Sequence, residues 1–142
     1  MTAEFPVAVH ALVYLLHTNR VTSSRELADN ICTNPARVRK VMARLHGAGL
    51  VRAGKGKGSG YETLPDAGCI SLDAVLLALG EQPISMNWRS GDMDRECLVS
   101  SGMGDAMDQL YAALNETCRN RLRAETIGSV SDIIFKERGK TT

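Results

Sequence analysis

The segment TNPARVRKVMARLHGAGLVRAGKGKGSGYETL, Thr33 to Leu64, contains a helix start, a helix stop and a hairpin in that order. Asn34 is a good N-cap, because its side-chain oxygen can accept from an otherwise unpaired N–H of the first turn. Pro35 follows at the helical position where a missing N–H costs least. Val38, Val41, Met42 and Leu45 recur at three- and four-residue spacing, which predicts a helix from Pro35 to about Ala48 with one apolar face. Gly49 is placed to end it in a left-handed conformation. Leu50 to Arg52 and Tyr61 to Leu64 are short strand candidates, and the alternating glycines of Ala53 to Gly60 favour a mobile hairpin tip. The polar side of the helix carries Arg37, Arg39, Lys40 and Arg44. With Arg52, Lys55 and Lys57 they make seven cations between Asn34 and Gly58, with no acid among them. The rest of the chain holds the other 10 of 17 basic residues and all 16 acidic ones, so the net charge of +1 averages a basic block and an acidic body. That pattern points to a polyanionic partner.

Upstream, Phe5, Ala8, Val9, Leu12, Leu15 and Leu16 predict a helix over about residues 3–18, with Pro6 tolerated in its first turn. His10 and His17 lie seven apart on it, wider than a usual metal pair, and are expected as exposed helix histidines. Ser23 and Glu26 form an S-x-x-E capping box. A short helix from Ser24 to Asn30 should follow, burying Leu27, Ala28 and Ile31, with Cys32-Thr33 as the turn. Helix, helix, turn, helix, strand, basic hairpin, strand is the order of a winged helix-turn-helix, so the fold class expected is mainly α with a two-stranded β-wing. In that arrangement the helix from Pro35 enters the major groove of double-stranded DNA with its first turn nearest the base edges. Thr33 and Asn34 are placed to contact phosphates or bases, and Arg37 is the candidate for reading a base. Arg39, Lys40 and Arg44 are candidate phosphate contacts, and Lys55 and Lys57 candidates for the minor groove or its flanking backbone. The bland alternative for the helix is a solvated basic face; that for the module is a winged helix that contacts protein.

Beyond Pro65-Asp66, Ile70 and Val75 could staple a helix capped by Ser71 and stopped by Gly80. Glu81 to Gly91 reads as loop. A long helix is expected from Cys97–Gly102 to about Ala124. Its stripe is Met103, Met107, Leu110, Tyr111, Leu114, Cys118 and Leu122, and its end charges suit the helix dipole. A last helix from Thr126 should bury Ile127, Val130, Ile133 and Ile134, with a frayed tail after Lys136. The division expected is a DNA-binding domain over 1–66 and a sensor loop with dimerisation helices over 67–142.

With 142 residues, 44% apolar and only 4% aromatic, the chain has enough for one compact aliphatic core. Ala74 to Leu79 is far short of the about 20 apolar residues that span a bilayer. The start lacks the basic and apolar regions of a secretory leader. Cys32, Cys69, Cys97 and Cys118 are scattered. A reducing cytoplasm is the simpler expectation. Gly49 to Lys55 matches most of G-x-x-x-x-G-K, but Gly56 stands where Ser or Thr should, and no helix follows. No nucleophile–base set or metal constellation suggests an enzyme.

Val21 to Leu64 resembles the DNA-binding part of the Rrf-two (Rrf2) family of transcription regulators. Phe5 to Leu15 resembles the opening helix of its YwnA-like branch, Ile70 to Val75 the helix after the wing, and Thr126 to Ile134 the closing helix. The TNP turn and the AGLV and glycine-rich wing segments are the most specific parts. The resemblance implies a homodimer joined mainly through the long helix, which makes Met107, Leu110, Tyr111, Leu114, Cys118 and Leu122 interface candidates. A two-fold pair presents two reading helices to successive major grooves, about 34 Å apart, on a pseudo-palindromic operator. Several members hold an iron–sulfur cluster on three cysteines before the long helix. Here only Cys97 stands between Met86 and Gly104, and Ser100 occupies a place where some members have His. A cluster wants about four ligands, so no cluster, metal or other cofactor is expected.

Two sensing routes remain, in a regulator expected to act as a repressor. Cys97 stands near a helix start, where the dipole favours thiolate and hence reaction with an oxidant; Asp92, Asp94 and Glu96 oppose that effect. Alternatively Trp88 and Met86 line a pocket for a small molecule, with Arg89 pairing an anion.

Overall fold

The computed structural model describes residues 1–54 and 56–138. Helix α1 (Glu4–Thr18) buries Phe5, Ala8, Ala11, Leu12 and Leu15 and lies against α2, α3, α4, α6 and the second strand. It is the hub of the fold. Helix α2 (Ser24–Ile31) starts where Ser23 accepts from the Glu26 amide. The reciprocal half of that capping box is diverted: the Glu26 carboxylate takes Arg20 and the Tyr14 hydroxyl instead, the latter at 2.9 Å. Cys32 makes the turn in a left-handed conformation, φ 62°. Helix α3 (Pro35–Gly47) begins with Asn34 accepting from the Arg37 amide at 2.8 Å, and its Val38, Val41, Met42 and Leu45 are fully buried.

Strands β1 (Val51–Ala53) and β2 (Tyr61–Thr63) pair antiparallel, Val51 opposite Thr63. Tyr61 also exchanges two backbone hydrogen bonds of 2.9 Å with Thr22, which ties the wing to the α1–α2 connection. A 3-10 turn at Ala67–Cys69 leads to α4 (Leu72–Ala78), capped by Ser71 and followed by Gly80 at φ 68°. No helix or strand interrupts residues 81–97. Helix α5 (Leu98–Ala124) has 27 residues, about 40 Å at 1.5 Å per residue. Helix α6 (Ile127–Arg138) then folds back along α1, where Phe135 stacks on His17 at 4.6 Å.

The expectation for α6 needs correction. Ile127 is in the core and Val130 is half-buried, but Ile133 and Ile134 are exposed, Ile133 at 55%. Helix α6 packs on α1 and on the 3-10 turn at Ala67–Cys69, and the α1 contact uses the side that carries Val130 and Phe135, which leaves much of Ile133 and Ile134 in solvent. Residues 139–142, which include the end of the predicted frayed tail, lie outside the described residues.

One buried carboxylate fastens α5 to this body. Asp73 of α4 accepts from Arg119 Nε at 3.0 Å and Nη2 at 3.2 Å, and from Arg123 Nε at 3.3 Å. The Arg119 guanidinium, and then Arg123, hold the Asp73 carboxyl below the usual carboxylate range despite its burial. Its folded pKa is therefore lower than its unfolded one. The stability it contributes is complete above the unfolded value, about 3.9, and is lost as pH falls through the folded value. Asp73→Ala is expected to cost about 2–4 kcal/mol at pH 7, because Arg119 loses its partner and Arg123 is left with Glu116 alone among carboxylates. In urea unfolding the deficit relative to the parent should shrink at acid pH; a pH-independent deficit would refute the ion-pair account.

Candidate nucleic-acid interface

Helix α3 turns its outer side to solvent because its other side is in the core. Ala36, Arg39, Lys40 and Ala43 are exposed, and Arg37 is half-buried on one flank. The small side chains of Ala36 and Ala43 leave the helix backbone free to approach a groove floor, between cations on either side. Asn34 is exposed but its Oδ1 is used as the cap, so its amide nitrogen is the group left for a partner. Thr33 is half-buried beside it.

The basic block is not unopposed in space. Glu4, from the first turn of α1, accepts from Lys40 Nζ at 2.9 Å and from Arg44 Nη1 at 3.5 Å. Arg44 also donates to the Leu79 carbonyl at 2.7 Å, at the end of α4. Glu62 stands across the hairpin from Arg52. Among the described residues, Arg37, Arg39 and Lys57 have no carboxylate within salt-bridge distance. No sequence signal marks Glu4, which lies 36 positions from Lys40; only the packing of α1 on α3 brings it there.

The wing has a firm base. Gly54 donates to the Gly60 carbonyl at 2.9 Å, and a Cβ on Gly60 would stand 2.5 Å from the Thr22 carbonyl oxygen. Lys57 is exposed at the tip, where Gly56 and Gly58 have φ of 93° and 80°. Lys55 lies outside the described residues.

At the other end of the molecule, residues 82–90 lie along α5. Asn115 clamps the loop by accepting from the Ile84 amide at 2.8 Å and donating to its carbonyl at 3.0 Å. Arg89 closes the far end by laying its guanidinium over Gly104, and binds both Asp105 and Asp108. Its guanidinium, expected to pair an anionic effector, is thus spent within the chain. Between the clamps is an open groove of about 770 Å³ lined by Ile84, Met86, Trp88, Met103, Met107 and Tyr111. Trp88 is 73% exposed, so it does not anchor the loop by burial.

Helix α5 has more apolar surface than its own chain covers. Only Gly104 is buried along its whole length. Leu110 and Leu114 are exposed, Met107, Tyr111, Cys118 and Leu122 are half-buried, and Leu98 is 85% exposed. Cys97 caps this helix and is exposed. The amides of Ser100 and then Val99 face its sulfur and hold the thiol below its ordinary value. Gly91, at φ 83°, lets the preceding loop turn so that Asp92 donates to the Ser100 carbonyl at 3.0 Å. Arg95 is directed to Asp92, at 3.8 Å, and is no recorded partner of the thiol. All four cysteines are free thiols. Cys97 and Cys118 lie at opposite ends of α5, about 30 Å apart along its axis. Among the described residues no group of His, Cys, Asp and Glu is arranged to hold a metal ion, and no helix is long and apolar enough to cross a membrane.

Residues 1–133 match the Rrf2 family, described as iron-dependent transcriptional regulators. A Bacillus subtilis protein named as an HTH-type transcriptional regulator, YwnA, is 25% identical over 135 residues, covering 95% of this chain and 99% of that protein. A crystal structure from Lactobacillus plantarum, described as a transcriptional regulator, superposes with a TM-score of 0.79 over 100% of both chains at 21% identity. CymR of Bacillus subtilis, described as the global cysteine regulator, gives a TM-score of 0.67 at 15% identity, covering 94% of this chain and 96% of that one.

Proposed function

Because the chain belongs to the Rrf2 family of transcriptional regulators, we propose that it is a homodimeric, sequence-specific repressor whose hold on DNA is set by the oxidation state of Cys97 or by a small molecule beneath Trp88. The observation that carries the DNA-binding part is the display of α3. Its apolar face is buried, its start is capped by Asn34, and Arg37 and Arg39 are unpaired beside a ridge of alanines. Arg37 reads a base from the first turn. Arg39, Lys40, Arg44 and the wing lysines Lys55 and Lys57 contact phosphates, and the Thr33–Asn34 turn positions the helix. Residues 1–66 form the DNA-binding part, and residues 67–142 the sensing and dimerising part.

The uncovered stripe of α5 supports pairing with a second copy through Met107, Leu110, Tyr111, Leu114, Cys118 and Leu122. A two-fold pair suits a pseudo-palindromic operator. A cofactor-free mechanism is supported by the cysteine placement: a cluster needs about four ligands, and one exposed thiol at Cys97 with the next on the same helix about 30 Å away does not supply them. The family's iron dependence does not fit this donor set, and the sensing chemistry is assigned to the thiol or the groove instead. With Arg89 committed to Asp105 and Asp108, the groove suits an apolar or aromatic effector rather than an anionic one. The absence of a membrane-length helix and the DNA partner suit a cytoplasmic protein.

Arg37→Ala should weaken binding to an operator selected from random DNA by about 1–3 kcal/mol while changing random-duplex affinity far less; fluorescence anisotropy with both duplexes reads this, and equal losses would reduce Arg37 to a phosphate contact. Leu114→Glu should convert the dimer to monomer in sedimentation velocity and weaken operator binding; an unchanged dimer would move the interface elsewhere. Cys97→Ser should abolish peroxide-induced release of operator DNA, whereas a persisting response would remove this thiol from the mechanism.

A further inference from the structure

We propose that Glu4 is an internal stand-in for a DNA phosphate: its carboxylate holds Lys40 and Arg44 in the free protein and yields them to the operator backbone, so that it suppresses binding to non-specific DNA. The inference rests on the DNA-binding reading of α3 and adds a residue from a different element that sets affinity for the DNA backbone.

The geometry has three parts. Glu4 is more enclosed than its partners: its side chain is 16% exposed and rooted in the first turn of α1, whereas those of Lys40 and Arg44 are 60% and 42% exposed, although Arg44 is also held by the Leu79 carbonyl. Long cationic side chains of this kind can swing outward from a common stem position. Second, the site is an open cleft of about 850 Å³ bounded by Thr2, Glu4, Arg37, Lys40, Arg44 and Gly80, with room for an anion beside the carboxylate. The other acid on its rim, Glu81, is occupied by Thr2, whose amide donates to it at 2.7 Å. Third, Arg37, Lys40 and Arg44 outnumber the two carboxylates of the cleft, Glu4 and Glu81, so the cluster keeps an excess cation and attraction for another anion. Lys40, above all, and the fields of Arg44 and Arg37 hold the Glu4 carboxyl below the usual range, which keeps it ionised at neutral pH.

The consequence is a toll on every encounter with DNA. Charge-assisted contacts at 2.9 and 3.5 Å must be exchanged for phosphate contacts, and the released carboxylate must take up a counterion. At an operator, base contacts offset that cost. On random duplex only phosphate contacts are available, so the same loss leaves that complex, the weaker of the two, with little affinity.

The test uses the full chain with Glu4→Gln, which keeps size and hydrogen-bonding reach but removes the charge; matched thermal unfolding checks the fold. Anisotropy titrations on a random-sequence duplex across a potassium chloride series should show affinity raised about fivefold or more and the log–log salt slope steepened by about 1, the increment for roughly one more phosphate neutralised. Operator affinity should rise by a similar factor, because the exchanged contacts are to phosphate in both complexes. Glu4→Asp, which withdraws the carboxylate by one methylene, should lie between parent and Glu4→Gln. In a Lys40→Gln background the effect of Glu4→Gln should shrink. If the parent binds an operator but Glu4→Gln leaves random-duplex affinity and slope unchanged, the proposal is overturned. Weaker binding of Glu4→Gln to both duplexes would overturn it too, and make Glu4 a residue that positions the cations. A parent that binds no duplex would overturn the DNA-binding reading along with it.

Discussion

Burial of Val38, Val41, Met42 and Leu45 is the constraint from which the arrangement of this molecule follows. Each is sealed in the core and contributes roughly 2 kcal/mol by leaving water. The same burial leaves only one side of α3 available to solvent, and that is the side with Ala36, Arg39, Lys40 and Ala43. Asn34 and Pro35 set where the helix begins, hence which residues stand in its first turn. A cationic helix without this apolar anchor would have charge but no fixed face to present.

Helix α1 supplies the counterpart surface and something more. Its core residues pack against nearly every other element, and its first turn carries Glu4 to the rim of α3. Contacts then run on in both directions. Arg44 reaches the Leu79 carbonyl at the end of α4, Thr2 holds Glu81 just beyond it, and Asn115 of α5 holds Ile84 two residues past Gln82. The loop that lines the Trp88 groove is therefore joined through short polar contacts to the cations of α3. Asp73 with Arg119 and Arg123 makes a parallel connection between α4 and α5.

The two halves of the chain differ in how complete they are alone. Around α1 to α4 most apolar residues are enclosed, and among the described residues Phe5 is the only aromatic in the buried core. Along α5 and the end of α6 they are not: Leu98, Leu110, Leu114, Ile133 and Phe135 are all exposed. Exposed apolar surface of this extent on a soluble domain marks a place where something else is expected to sit.

Local physics was legible in the sequence. Caps, stops and periodicity located all six helices and both strands to within a few residues, since an N-cap oxygen, a left-handed glycine or a buried stripe depends on neighbours close in the chain. The chemical character of α3 followed from the same local pattern. What depends on residues far apart was not legible. Glu4 lies outside the acid-free block and yet opposes it. Arg89 was free in the linear order and is paired in the fold, and Ile133 and Ile134 had the spacing of core residues but stay exposed. Spacing along a helix tells which side chains share a face; only the packing of whole elements decides what that face meets, because Coulomb attraction and burial act through space and not along the chain.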